Sequence, residues 1–273
     1  MDRGLLEAMQ RRATATAGEF VPQGVANVLW ALASTGERAD RGLLKAMHRR
    51  AMATAGEFYP QAVANMLWAL AVMGVGGSDE SLDGLISRLA ARILEVREQL
   101  THEAKCQLHQ WLLSCELGLL SGASLSTAVA RVKEEIGQQC LQAFSAKVTH
   151  GSRLQREVAT ALRKTVPEME IEEEYRDARS GYSIDVLLRR RSAVSITGGA
   201  KSPEERAGGW AVEVDGPTHF LQAGRMPSGN TLLKRKQLGQ LGYTVVPVTF
   251  WEWDALRGEE AKRRHVEDKL RGG

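Results

Sequence analysis

Cysteines and long apolar runs are scarce in this chain, and each scarcity removes a class of protein. Only Cys106, Cys115 and Cys140 occur in 273 residues. An odd, sparse set builds no disulfide framework and fits a reducing compartment. The spacings of 9 and 25 match no zinc pattern, so the thiols read as buried structural groups. No stretch of about 18 apolar residues exists, which argues against membrane insertion. The opening MDRGLLEAMQRR carries acid near its start and no continuous apolar segment, unlike a secretory signal. It also lacks the Ser-rich, acid-poor character of a transit peptide. Charge of one sign is in little excess, with a formal net charge of +3, and this alone does not point to nucleic acid. Residues 151–273 hold the whole surplus, with 21 Lys and Arg against 18 Asp and Glu; residues 1–150 hold 15 of each. The 43% hydrophobic and 25% charged content is that of an ordinary globular protein, long enough for one large or two modest domains.

What is present is a duplication. Residues 2–36 return as residues 40–74, at an offset of 38, with 27 of 35 positions identical. Each copy reads as two helices. The first spans about 4–15, with Leu5, Ala8, Met9 and Ala13 at helical spacing, and Gly18 breaks it. The second starts at Pro22, where the missing N–H has no intrahelical role, and carries Val25, Leu29, Leu32 and Ala33 to Gly36. The second copy repeats this with Pro60, Val63, Leu67, Leu70 and Gly74. A single hairpin cannot bury its apolar face, and stacked neighbours can. An eroded third copy over 84–120 follows a joint at 74–79, and a further amphipathic helix covers 125–144. The first residues already lie inside a repeat, so the chain is expected to be a fragment, with any targeting segment outside it.

The P-Q-x-x-A-N-x-L-W-A-L-A pattern, at 22–33 and 60–71, resembles the octotricopeptide repeat and its relatives in FAST-kinase-like proteins. The likeness is strong over 2–76 and weak over 84–120. It implies binding of organellar RNA at about one base per repeat, read by two or three side chains. Arg11 and Arg12 recur as Arg49 and Arg50, a regular row that could follow phosphates; the bland alternative is a solvated helix end. Asn27 and Asn65 are expected to tie the two helices of a unit together, and Trp30 and Trp68 to plug the core.

The pattern changes at residue 151. A helix is expected over 154–164, strands over 171–175, 182–188, 210–214 and 244–250, and a helix over 232–241 joining the last two as a parallel crossover. Residues 192–209 have loop composition, and 259–270 read as a charged terminal helix. Trp251 and Trp253 are expected on one face of an extended segment, buried.

Four motifs in order, E-V-D-G-P-T-H-F at 213–220, the basic Lys234-Arg235-Lys236, V-V-P-V at 245–248 and W-E-W at 251–253, resemble the RAP domain over 153–270. That resemblance implies a C-terminal module of organellar RNA-processing proteins and a fold like the PD-(D/E)xK nucleases. There, an acid on one strand and E-x-K on the next hold Mg²⁺ beside a phosphate. Asp185, Glu213, Asp215 and the helical Glu157 fill the acidic positions, with Asp185 and Glu213 as the metal ligands if the site is active. The lysine of E-x-K is Asp215 here, so His219 or Lys234 would have to substitute. The alternative is a retired nuclease kept as an RNA clamp, in which Lys234, Arg235, Lys236 and His219 face the RNA.

The expected fold is therefore α+β in two domains. Residues 1–150 form an α-solenoid of two-helix repeats (2–38, 40–76, 84–120, with the helix 125–144), and residues 151–273 form a nuclease-like α/β domain. The expected function is binding of single-stranded RNA, an organellar mRNA or rRNA, in processing, stability or translation, in a mitochondrion or plastid. Binding needs no cofactor; Mg²⁺ enters only if the chain is a metal-dependent endoribonuclease guided by its repeats. A protein-interaction solenoid is the third reading.

Overall fold

The computed structural model describes residues 3–74, 80–120, 127–146, 151–191, 208–221 and 225–272. Most of the expected joint at 74–79 and of the loop at 192–209 lies outside these residues, as does the start of the helix at 125–144. The fold is α+β, with eleven helices and one four-stranded mixed sheet among the described residues. The chain divides into two compact units. One holds Met1–Ala146 with Ala223–Leu233, and the other Lys147–Gln222 with Lys234–Gly273.

In the first unit the hairpins are α1 (Arg3–Ala15) with α2 (Pro22–Ser34), α3 (Arg41–Ala53) with α4 (Pro60–Met73), and α5 (Glu80–Glu95) with α6 (His102–Glu116). A single 3-10 turn follows each first helix. Pro22 and Pro60 occupy the first helical positions; in the third hairpin the Thr101 hydroxyl instead caps α6 by accepting from Ala104 N–H. The first helices form one row, α1 on α3 on α5, and the second helices another, α2 on α4 on α6. The last helix, α7 (Thr127–Ser145), packs on both α5 and α6. Helix α4 lies between two neighbours and is buried nearly all round, which its almost unbroken apolar sequence allows.

Position in the row decides burial. Leu43 and Met47 of the second copy are fully buried, whereas their counterparts Leu5 and Met9 are 58% and 60% exposed. Trp68 and Trp111 are buried, but Trp30 is 40% exposed. The expected apolar face of α1, and Trp30 as a core plug, are therefore corrected. In the described chain α1 and α2 have a neighbour of their own kind on one side only. Full burial of one such side chain stabilises by about 1.5–3 kcal/mol, so identical sequence contributes differently in the two copies.

The segment 223–233 also belongs to this unit. Leu233 is in its core, and Asn230 accepts from Gln110 Nε2 at 3.1 Å. A Cβ at Gly229 would stand 1.8 Å from the Ala33 carbonyl oxygen, so only glycine fits this approach.

The second unit runs α8 (Arg153–Thr165), β1 (Met169–Arg176), β2 (Ser183–Arg190), β3 (Gly209–Asp215), α9 (Gly229–Gln240, from Lys234 onward in this unit), β4 (Tyr243–Thr249), α10 (Phe250–Ala255) and α11 (Gly258–Gly272). The sheet order is β1-β2-β3-β4, antiparallel except for the parallel β3–β4 pair joined through α9. Val186, Leu188, Val212, Val214, Val246 and Val248 form one core with Val158, Leu162, Trp253 and Val266. The period of two sends Asp185, Glu213 and Asp215 to the opposite sheet face. One expected strand is too long. Phe250 leaves the sheet, and the Thr249 hydroxyl with Glu252 forms a capping box that starts α10. Trp251 and Trp253 are thus on a helix, where two residues apart means different faces. Trp253 is fully buried, and the Trp251 ring centroid lies 4.3 Å from that of Phe220.

Candidate nucleic-acid interface

The E-V-D of β3 places Glu213 and Asp215 on one sheet face, 2% and 1% exposed. Two buried carboxylates need cations, because an unpaired buried charge costs several kcal/mol. Helix α9 supplies them. Lys234 Nζ donates to Glu213 Oε2 and Arg235 Nη2 to Asp215 Oδ2. His219 Nδ1 sits 3.1 Å from Asp215 Oδ1. On β2, Asp185 Oδ2 accepts from Val214 N–H at 2.7 Å, which ties it to β3 between the two acids. Glu213 Oε1 is buried without a hydrogen-bond partner among the described residues.

Burial pushes the Glu213 carboxyl up to about 7, against the pull of Lys234, with Asp185 and Asp215 adding like-charge repulsion. Asp185 is raised as well, first by burial. Burial disfavours the Lys234 ammonium, yet Glu213, Asp185 and Asp215 outweigh it and hold the amine above its ordinary value. The cluster therefore keeps Lys234 charged and shares its charge among three acids.

Three of the four expected acids come together in this way; Glu157 does not. Helix α8 faces the sheet with Gln155, Val158, Ala159 and Leu162, which leaves Glu157 on its flank toward α11. There it accepts from Lys262 Nζ at 2.7 Å, Trp253 Nε1 at 3.1 Å and Arg153 Nε at 2.9 Å. Those bonds, led by that of Lys262, pull its carboxyl down to about 2. The residue that does reach Asp185 is Gln155. Its Nε2 donates to the Asp185 carbonyl at 2.9 Å and to Glu174 Oε1 at 2.8 Å. Glu174 has φ +54°, a left-handed conformation that a non-glycine residue rarely adopts. Its other oxygen accepts from Ser183 Oγ at 3.1 Å. Neither Gln155 nor Glu174 has a sequence signal beyond its place on a helix or strand.

No group of three His, Cys, Asp or Glu side chains converges in a metal-holding arrangement among the described residues. With Glu213 and Asp215 each on a cation of the chain itself, the residues present do not fit Mg²⁺ in this arrangement. The cationic run of α9 is likewise divided. Lys234 and Arg235 are turned inward, about four-fifths buried, and Lys236 is exposed.

The arginine pairs of the first unit also separate. Arg50 Nε donates to the Phe20 carbonyl at 2.6 Å, and Arg92 Nε to the Phe58 carbonyl at 3.1 Å. Phe58 is Phe20 displaced by one copy, so this arginine stitches each hairpin to the one before it. Arg50 is corrected from the expected row of phosphate contacts to that structural role. Arg11, Arg12 and Arg49 are exposed. Arg49 borders a groove of about 380 Å³ between the first and second hairpins, with Thr14, Ala17 and Gly18 on its far side. Asn65 accepts from Gln61 one turn away on its own helix; Gln61 in turn donates to Gln107 Oε1 of α6 at 2.7 Å. The tie is thus between successive hairpins, not between the two helices of one. Trp68 Nε1 donates to Gln110 of α6 at 2.9 Å in the same direction.

The RAP domain family matches residues 212–269, the stretch that carries Glu213, Asp215, His219, Lys234 and Arg235. A RAP domain-containing protein, chloroplastic, from Oryza sativa subsp. japonica is 39% identical over 49 residues, 18% of this chain. The matched stretch covers 8% of that relative's length. The C-terminal part of this chain carries a RAP domain.

Proposed function

We propose that this protein binds single-stranded RNA, in a mitochondrion or plastid, and acts there in the processing, stability or translation of a transcript. The observation that carries the reading is the RAP domain at residues 212–269, in one chain with duplicated hairpins that each present an exposed arginine at the same position, Arg11 and Arg49. Stacked hairpins with equivalent cations suit a regular polyanion. The chloroplastic relative supports a plastid over a mitochondrion.

The helix–three strands–helix–strand order of the second unit, with acids on β2 and β3, supports a nuclease-like scaffold. Binding is preferred to cleavage on that scaffold because Lys234 and Arg235 occupy the carboxylates a metal would need. On this reading His219 and Lys236, the more accessible polar groups there, meet the RNA.

Retardation of labelled single-stranded RNA, titrated at several salt concentrations, tests the proposal. A linear fall of log K with log salt is expected. Absence of any retardation at low salt overturns it in favour of a protein-binding array. Metal-dependent RNA decay that disappears in both Asp185→Ala and Glu213→Ala would instead establish the endoribonuclease.

A further inference from the structure

A groove of about 450 Å³ lies between α8 and α11 of the second unit, away from the acidic cluster. Its walls carry five cations, Arg153, Arg156, Lys164, Lys262 and Arg263, against the two acids Glu157 and Glu259. The local surplus of three positive charges equals the formal net charge of the whole chain. Helical spacing explains the concentration. Residues 153, 156, 160 and 164 are three or four apart and share one stripe of α8, and 259, 262 and 263 face them from α11.

The two acids are engaged. Glu157 is shared by Lys262, Arg153 and the Trp253 indole, and Glu259 holds Lys164 with its two oxygens at 2.8 and 2.9 Å. Arg156 spends one nitrogen on the Gly151 carbonyl at 3.0 Å and is exposed, as is Arg263. The hydrogen bonds from Lys262, Trp253 and Arg153, in that order, hold the Glu157 carboxyl low.

We infer that the groove between α8 and α11 is a second RNA contact of the RAP-bearing unit, one that takes the phosphate backbone through Arg153, Arg156, Lys164 and Arg263 and reads no base. This rests on the RNA-binding reading. The stripe from Arg153 to Lys164 runs about 16 Å at 1.5 Å per residue, far longer than one phosphate and suited to a chain of them. Among the described residues, the groove lining contains no aromatic side chain on which a base could stack. Its part in recognition is therefore electrostatic and independent of sequence.

The test is Arg156→Glu with Arg263→Glu in the full chain, titrated by anisotropy against several unrelated single-stranded RNAs over a range of salt. Each lost phosphate contact lowers the salt slope by about 0.7 for a single strand, so the pair should lower it by about 1.4. Affinity should fall by a common factor of roughly ten for every RNA. Both residues are exposed, and an unchanged melting temperature is expected; should the reversed pair unfold, Arg156→Gln with Arg263→Gln carries the same measurement. Unchanged slope and affinity, with wild-type binding intact, overturn the groove and leave the RNA reading standing. No binding by the wild type sinks the RNA reading itself. Inorganic phosphate at constant ionic strength is the third arm. If the variant loses only its response to phosphate while RNA binding is unaltered, the groove takes small anions and the inference fails.

Discussion

The Lys234 ammonium lies on the carboxylate of Glu213, from a helix to a buried strand position twenty-one residues earlier in the chain. Neither charge could stay buried without the other. This pair, with Arg235 on Asp215 beside it, makes the acidic cluster a structural joint between α9 and β3.

Loss of one partner should therefore be costly. Lys234→Met is expected to destabilise by about 3–5 kcal/mol, because it leaves Glu213 buried and unpaired. Lys234→Met with Glu213→Leu should recover most of the loss. Urea unfolding of the two single variants and the double measures the coupling; a single-variant loss below about 1 kcal/mol would show that the pair is solvated.

Acid should loosen α8 from α11. The Glu157 carboxyl sits at about 2 in the folded chain and at 4.5 without its partners, so the unfolded chain binds the proton first as pH falls. Its contribution is complete above about 4.5 and disappears as pH drops through about 2. Glu157→Gln should flatten the stability profile across that window, followed by the fluorescence of Trp253, whose indole donates to this carboxylate. Glu213 has the opposite sign. Its folded value near 7 lies above the ordinary 4.5, so its ionisation opposes folding as pH rises between the two. An unaltered profile in Glu157→Gln would remove the residue from the acid transition.

The two arginines of a pair should separate by assay. Arg50→Ala removes a bond from a charged donor to the Phe20 carbonyl and should cost about 1.5–3 kcal/mol of stability. Arg49→Ala should leave the melting temperature in place, weaken RNA binding alike for all sequences and lower the salt slope by about 0.7. The reverse pattern would exchange their roles.

Two glycines of α9 should respond in opposite directions. Gly239→Ala has open space around its Cβ and should stabilise by about 0.5–1 kcal/mol through helix propensity. Gly229→Ala would drive its Cβ into the Ala33 carbonyl and should destabilise by about 1–3 kcal/mol. Thermal melts of both decide it; equal gains would mean that the close approach at Gly229 is absent in solution.

Much of this was legible in the chain because it is local. The offset of 38 between near-identical segments, Pro22 and Pro60 at helix starts, and alternation along 183–190 and 209–215 each reflect neighbours a few residues apart. Trp251 and Trp253 misled because two residues share a face in a strand and separate in a helix, and the Thr249–Glu252 capping box decided between them. Leu5 and Leu43 show a further limit. They have the same sequence neighbours and opposite burial.

The amino-acid order by itself determined the hairpins, the strand–helix–strand crossover and the chemical types at the acidic cluster, since helix and strand periods are written in adjacent residues. Only the tertiary structure decided that Gln155 and not Glu157 approaches Asp185, that Arg50 stitches hairpins together, and that Lys234 and Arg235 turn inward to Glu213 and Asp215. Those outcomes depend on packing between segments far apart in the chain, where a rotation of one helix by a single residue, about 100°, exchanges a buried partner for solvent.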